Sequence, residues 1–262
     1  MPIQATNMPA HPQCDGDQWS IIDIDGLAEL VAHILVGRGF HAALILQGVR
    51  LDEGPITTDI KAKLFTELHP DNEPRSHHRD GVLFEVICWV AAKLGAGADE
   101  ALTNPHLKAT YQGADCIKIR VDPLTKALTR ATVYEYKCTT NWRDLFRDDV
   151  MAAFRQYQTG QRDNLLSQGA IALLEKMGLD GPQLKAAYDQ LIQSRPIAYR
   201  ASLTVQPLAF SATQRLALFG GFDGVGAGVG DRAGDTLPLD NIRPWFADFS
   251  DKVWAKIDNF DV

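Results

Sequence analysis

The sequence predicts a mixed α/β fold, and three observations carry that reading. Residues 113–121 and 132–138 alternate apolar and polar side chains and are rich in β-branched and aromatic residues. With the turn signal Asp122-Pro123-Leu124-Thr125 between them, they form the pattern of an antiparallel hairpin. Segments on both sides repeat apolar residues at helical spacing. A further alternating stretch, IAYRASLTV at 197–205, follows those helices as a final strand.

The totals bound the rest. A chain of 262 residues holds one large domain or two small ones, with a sizeable core. Hydrophobic residues at 45% and charged residues at 23% are the proportions of an ordinary globular protein. The net charge of −7 argues against a strong, autonomous, non-specific DNA binder, which is basic as a rule. Any nucleic-acid contact then needs a local patch or a partner. Cys14, Cys88, Cys116 and Cys138 make no C-x-x-C pair, which argues against zinc. We expect reduced thiols and a cytoplasmic protein, with no signal peptide and no 18-residue apolar span.

In chain order, residues 1–18 hold three prolines and no period, and are expected to be a disordered lead-in. Residues 25–37 read as a helix through Leu27, Leu30, Val31, Ile34 and Leu35, stopped by Gly37 and Gly39. The short apolar run 41–49 is expected to be a strand, and 56–68 a helix. Residues 73–80 read as a basic loop. Residues 81–94 are apolar on nearly every side, the mark of a buried helix. Residues 95–104 read as a loop and 107–111 as a short strand. After the hairpin, Trp142, Leu145, Phe146, Val150, Ala153, Phe154 and Tyr157 form a helical ladder ended by Gly160. Helices at 164–177 and 181–193 follow, the second with Pro182 in its first turn. A short helix at 212–219 precedes the glycine-rich stretch 220–240, expected to be a flexible loop because it lacks a nucleotide-loop pattern. An amphipathic helix at 244–260 ends the chain. The expected division is a lead-in at 1–18, a helical part at 19–78, a core at 79–206 and C-terminal helices at 207–262.

The hairpin concentrates charge. Folding it about position 126 sets Asp115 opposite Lys137, and Glu135 shares a face with Lys137 because strand side chains repeat every two residues. Two carboxylates facing one point suit a hard cation such as Mg²⁺ or Mn²⁺, and a lysine beside them suits hydrolysis of a phosphodiester. The plainer alternative is a surface hairpin with a cross-strand ion pair. Glu85 lies mid-way along the buried helix, where a carboxylate needs a cationic partner or a metal. Both readings of it stand equally. Arg75, His77, His78 and Arg79, with Lys108, are candidate contacts to a phosphate backbone, with plain solvation as the default. G-x-S-x-G, H-E-x-x-H, EF-hand and Walker patterns are absent from the sequence.

Taken in order, the helix with Glu85, the hairpin with Asp115, then Glu135-Tyr136-Lys137, an amphipathic helix and a later strand resemble the PD-(D/E)xK nuclease superfamily over 79–206. Ala114 stands where the proline that names the motif would be. The resemblance implies a restriction-endonuclease-like αβββαβ core with helical additions at both ends. It also implies a Mg²⁺- or Mn²⁺-dependent nuclease acting on DNA. Asp115 and Glu135 would be metal ligands, Lys137 the residue that positions water or offsets charge, and Glu85 a third ligand or its organiser. Within the superfamily, Lys108, Gly113 and Asp115 and the flanking helices are similar in layout to the HamA nuclease subunits of Hachiman anti-phage defence. That likeness implies a helicase partner that restrains and loads the nuclease. The alternative from another class is a catalytically inactive interaction or nucleic-acid-binding module of a defence complex.

Overall fold

The computed structural model describes residues 1–8, 11–52, 54–105, 113–206 and 211–262. Among these, seven strands form one sheet in the order β1 (Ile3–Asn7), β2 (Asp17–Ile21), β7 (Arg232–Pro238), β6 (Ile197–Val205), β5 (Leu128–Lys137), β4 (Cys116–Val121) and β3 (Glu100–Leu102). The sheet is mixed. The β2–β7, β7–β6 and β6–β5 pairs are parallel, and the β1–β2, β5–β4 and β4–β3 pairs are antiparallel.

Strand alternation builds a core on each side. From β5, Ala131 and Val133 enter one apolar cluster, and Tyr134 and Tyr136 enter the other. The tyrosine side is packed by α1 (Ile24–Leu35), α3 (Thr58–Leu68), α4 (Glu73–Leu94) and α10 (Ile242–Asp258). The other side is packed by α6 (Met151–Gln158), α7 (Asp163–Lys176), α8 (Gly181–Gln193) and α9 (Ala212–Leu218). From α4, Leu83, Phe84, Val86, Ile87, Trp89 and Val90 are all buried. Each such side chain contributes about 1.5–3 kcal/mol relative to exposure. Between β5 and α6 stand a short helix α5 (Trp142–Leu145) and one wide π turn (Phe146–Val150). Gly169 lets α7 approach β4, since a Cβ there would meet Ile117 Cδ1 at 2.6 Å.

Several sequence expectations are corrected. Ile3–Asn7 and Asp17–Ile21 lie in strands, so the lead-in at 1–18 is not simply disordered. Buried Asp235 explains the hold on β2: its Oδ1 accepts from the Asp17 backbone N–H at 3.0 Å, and Arg200 joins both carboxylates at 2.5 and 3.0 Å. Residues 41–49 were expected as a strand, but α2 (Gly39–Leu46) is helical. Short apolar runs do not distinguish the two states. The expected basic loop at 73–80 is the first two turns of α4, started by the Asn72 side chain accepting from Arg75 N–H and by Pro74 in the first turn. The boundary expected at 78/79 therefore falls inside one helix. Residues 100–102, read as loop, form β3. The glycine-rich stretch 220–240 contains β7, where Gly234 leaves room for Phe219, whose ring a Cβ would meet at 2.6 Å. The strand expected at 107–111 lies outside the described residues. Among the described residues no helix is long and apolar enough to cross a membrane.

Candidate active site

The hairpin forms, with a different register. The ladder pairs Cys116 with Tyr134, and one further step sets Asp115 beside Glu135, not opposite Lys137. The cause lies in the turn. Asp122 Oδ1 accepts from the N–H groups of Leu124 and Thr125, Lys126 takes a left-handed φ of 60°, and the ladder shifts at Arg120/Val121. Asp115 is fixed at both ends: its N–H donates to Tyr134 O at 3.2 Å, and its Oδ2 accepts from Tyr136 N–H at 2.5 Å.

Asp115, Glu135 and Lys137 come together on the face toward α6 and α7. Glu135 is only 4% exposed, and its Oε1 finds no hydrogen-bond donor among the described residues. Its Oε2 lies 3.5 Å from Lys137 Nζ. Burial, with repulsion from Asp115 added, pushes the Glu135 carboxyl up to about 8 against the pull of Lys137 and Arg162. Burial also raises the Asp115 carboxyl, opposed by Lys137, by the Tyr136 N–H and by Arg162. Burial works against the Lys137 ammonium, but Glu135, Asp115 and Asp149 outweigh it and hold the pKa above its ordinary value. The arrangement is a pair of like charges forced together, with one cation insufficient to settle both.

Glu85 is half-buried on α4 and reaches the site from the other side of the sheet. With Asp115, Tyr136, His77, His78 and Val82 it lines a groove of about 440 Å³. Glu135 and Lys137 are not part of that lining. The basic candidates divide. Arg75, His77 and His78 are exposed on the first turns of α4. Arg79 is instead turned inward: its Nε and a terminal nitrogen donate to Asp80 Oδ1 at 2.9 and 2.8 Å, and Arg243 reaches Asp80 Oδ2 at 2.6 Å. Asp80 is fully buried, so Arg79 is part of a clamp between α4 and α10, with its fork turned to Asp80. Lys108 lies outside the described residues. All four cysteines are free thiols.

Among the described residues, no group of three or more His, Cys, Asp and Glu side chains is set to hold a metal ion. The candidate is a pair, and the pair fits a hard divalent cation. Two adjacent carboxylates, Glu135 buried and Asp115 half-buried, repel one another, and one Glu135 oxygen has no donor among the described residues, which a cation between them would satisfy. Mg²⁺ is commonly held by one or two carboxylates, with water and substrate phosphate completing its shell.

Sequence reasoning missed Arg162, Tyr157 and Asp149. Tyr157 closes the apolar ladder of α6, and Arg162 follows the Gly160 turn with its guanidinium 5.5 Å from the Tyr157 ring centroid. Their only mark in the sequence was an aromatic and a cation flanking a helix stop. Asp149 lies in the π turn, which no apolar spacing announces. No protein-family model matches the chain, and no curated protein matches it.

Proposed function

We propose that the protein is a divalent-metal-dependent nuclease that hydrolyses DNA phosphodiester bonds, with a restriction-endonuclease-like core. The observation that carries this reading is the pairing of half-buried Asp115 with buried Glu135, whose Oε1 has no partner among the described residues and whose Oε2 lies 3.5 Å from Lys137 Nζ. In the structural Asp17–Arg200–Asp235 cluster Arg200 donates to both carboxylates, whereas here a buried Glu135 oxygen is left with no donor among the described residues. The element order α4, β3, β4, β5, α5–α8, β6 supports the core assignment, since it repeats the αβββαβ order of that superfamily.

In this reading Asp115 and Glu135 hold Mg²⁺ or Mn²⁺, with Glu85 reaching the same groove from α4. The bound cation supplies Lewis acidity and an activated water. The Tyr136 N–H holds Asp115 in place, and the sheet fixes Glu135 beside it, so the pair needs no rearrangement to bind. Lys137 remains an ammonium, held so by three carboxylates, and offsets charge gathering on the phosphate as the P–O bond is exchanged. The groove walled by His77 and His78 admits the strand. Partner subunits, a helicase among them, would compensate for the net charge of −7 and belong to the same proposal.

The test is cleavage of plasmid and of linear single-stranded DNA with Mg²⁺, Mn²⁺, Zn²⁺ or EDTA, for wild type and Glu135→Ala. Cleavage in Mg²⁺ or Mn²⁺ that EDTA and Glu135→Ala both abolish is expected. Activity that survives EDTA or Glu135→Ala would sink the reading.

A further inference from the structure

The arginines of this chain are almost all engaged. Thirteen of the fifteen donate to a carboxylate or a backbone carbonyl. Among the described residues, Arg155 and Arg162 have no such acceptor. Arg155 is exposed, where water serves it. Arg162 is half-buried, and its guanidinium stands over the Tyr157 ring at 5.5 Å. It lies close enough to feel Asp115 and Glu135, yet forms an ion pair within 4.0 Å with neither. A half-buried guanidinium held back from two carboxylates is poised for something else. The Tyr157 ring fixes its plane, and the Tyr157 hydroxyl takes up only part of the fork, which meets no carboxylate or backbone carbonyl. Five N–H groups in a planar fork match the paired oxygens of a phosphate.

We infer that Arg162 is a substrate-binding residue, which grips two non-bridging oxygens of a DNA backbone phosphate at the Asp115–Glu135 site, with Tyr157 as its positioning residue. The inference rests on the nuclease reading for the identity of the ligand. It makes no demand on covalent chemistry, since the arginine neither gives nor takes a proton. It also answers an electrostatic difficulty: a phosphodiester entering a site with two adjacent carboxylates needs more than Lys137 to welcome it.

The experiment uses the full chain in a Glu135→Gln background, so that binding is read without cleavage. Labelled single-stranded and duplex DNA oligonucleotides are titrated in Mg²⁺ across a range of salt. Arg162→Ala is expected to weaken binding about tenfold and to lower the slope of log K against log salt by about one. Arg162→Lys keeps the charge and the stem but not the fork, and is expected to lose about threefold while keeping the slope. Arg155→Ala, a charge-matched control, is expected to bind as the parent does. In the wild-type background, Arg162→Ala should raise KM as well as lower kcat. If Arg162→Ala or Arg162→Lys binds with the parent's affinity and slope, the inference is overturned. If Arg162 only relieves repulsion between the carboxylates, Arg162→Ala will change Mg²⁺ affinity in the wild-type background and leave DNA binding in the Glu135→Gln background unchanged, which also overturns it. Cleavage by Glu135→Gln at the wild-type rate would instead defeat the proposed metal site at Asp115 and Glu135, and the binding arm, read in EDTA, would still decide the role of Arg162. Should Arg162→Ala fail to fold, the comparison of Arg162→Lys with the parent decides alone.

Discussion

Replacing Glu135 with Gln removes the charge that the fold tolerates least. The carboxyl is raised from an ordinary 4.5 to about 8. A group raised in this way is protonated in the native state and ionised in the unfolded chain across the interval between. Its favourable contribution is full below pH 4.5 and is lost progressively as pH rises through 8. At about 1.36 kcal/mol per pKa unit, the whole interval is worth on the order of 5 kcal/mol, and roughly 3 kcal/mol is already lost at pH 7. Asp115 is raised too and adds in the same direction. Lys137 does not interfere, because its folded and unfolded values both lie above this window. In EDTA, wild-type stability should therefore fall steadily from pH 5 to pH 8.5. Glu135→Gln should match wild type near pH 5 and exceed it by roughly 3 kcal/mol or more at pH 8. For a chain of this size that is a Tm gain of about 6–12 °C. Adding Mg²⁺ should raise the Tm of wild type and not of the variant, because only wild type retains both ligands. Thermal and urea unfolding across pH, with and without Mg²⁺, reads all of this. A wild-type profile that is flat or rising from pH 5 to 8, parallel to the variant's, would refute the account of a strained carboxylate pair.

Other substitutions separate chemistry from scaffolding. Lys137→Ala should cut DNA at least about 100-fold more slowly while folding normally and still binding Mg²⁺, since both carboxylates remain; a loss of only a few-fold in single-turnover cleavage would reduce the lysine to a partner of Glu135. Asp80→Ala should lower stability by about 3–5 kcal/mol in chemical denaturation, because it leaves the buried Arg79 guanidinium without its carboxylate and frees Arg243 from α4. Arg75→Ala should instead leave the Tm within a degree or two and weaken DNA binding in a salt-dependent way, measured by anisotropy; the reverse pattern in the two variants would exchange their roles.

The local elements of this fold were legible in the sequence, and the pieces held by distant partners were not. The strands flanking the Asp122 turn, the α6 ladder and β6 announce themselves by period. The register of the hairpin does not, because a shift at Arg120/Val121 and a left-handed Lys126 consume residues that no hydrophobic pattern counts. Strands β1, β2 and β7 are polar or glycine-rich and owe their place to the Asp235–Arg200–Asp17 cluster, a purely tertiary contact. The nearness of Asp115, Glu135 and Lys137 was legible from the hairpin, but the partner of Asp115 across it is Glu135 and not Lys137. The engagement of Arg79 was not legible, because its partner, Asp80, is its neighbour in sequence but lies buried against Arg243. Arg162 escaped notice because nothing in a helix stop says which charge it carries toward a strand.

The Asp17–Asp235 contact also sets a timetable. Its two residues are 218 positions apart. During synthesis, α4, the hairpin and β6 can assemble from neighbouring chain, whereas the β1–β2 ribbon must wait for β7 before it gains a place in the sheet. Contacts of such long separation close late and slow the last stage of folding. The nascent protein thus carries an assembled carboxylate pair beside an unfinished sheet whose β6 edge is bare, an interval in which a chaperone or an early-bound partner would find its easiest hold.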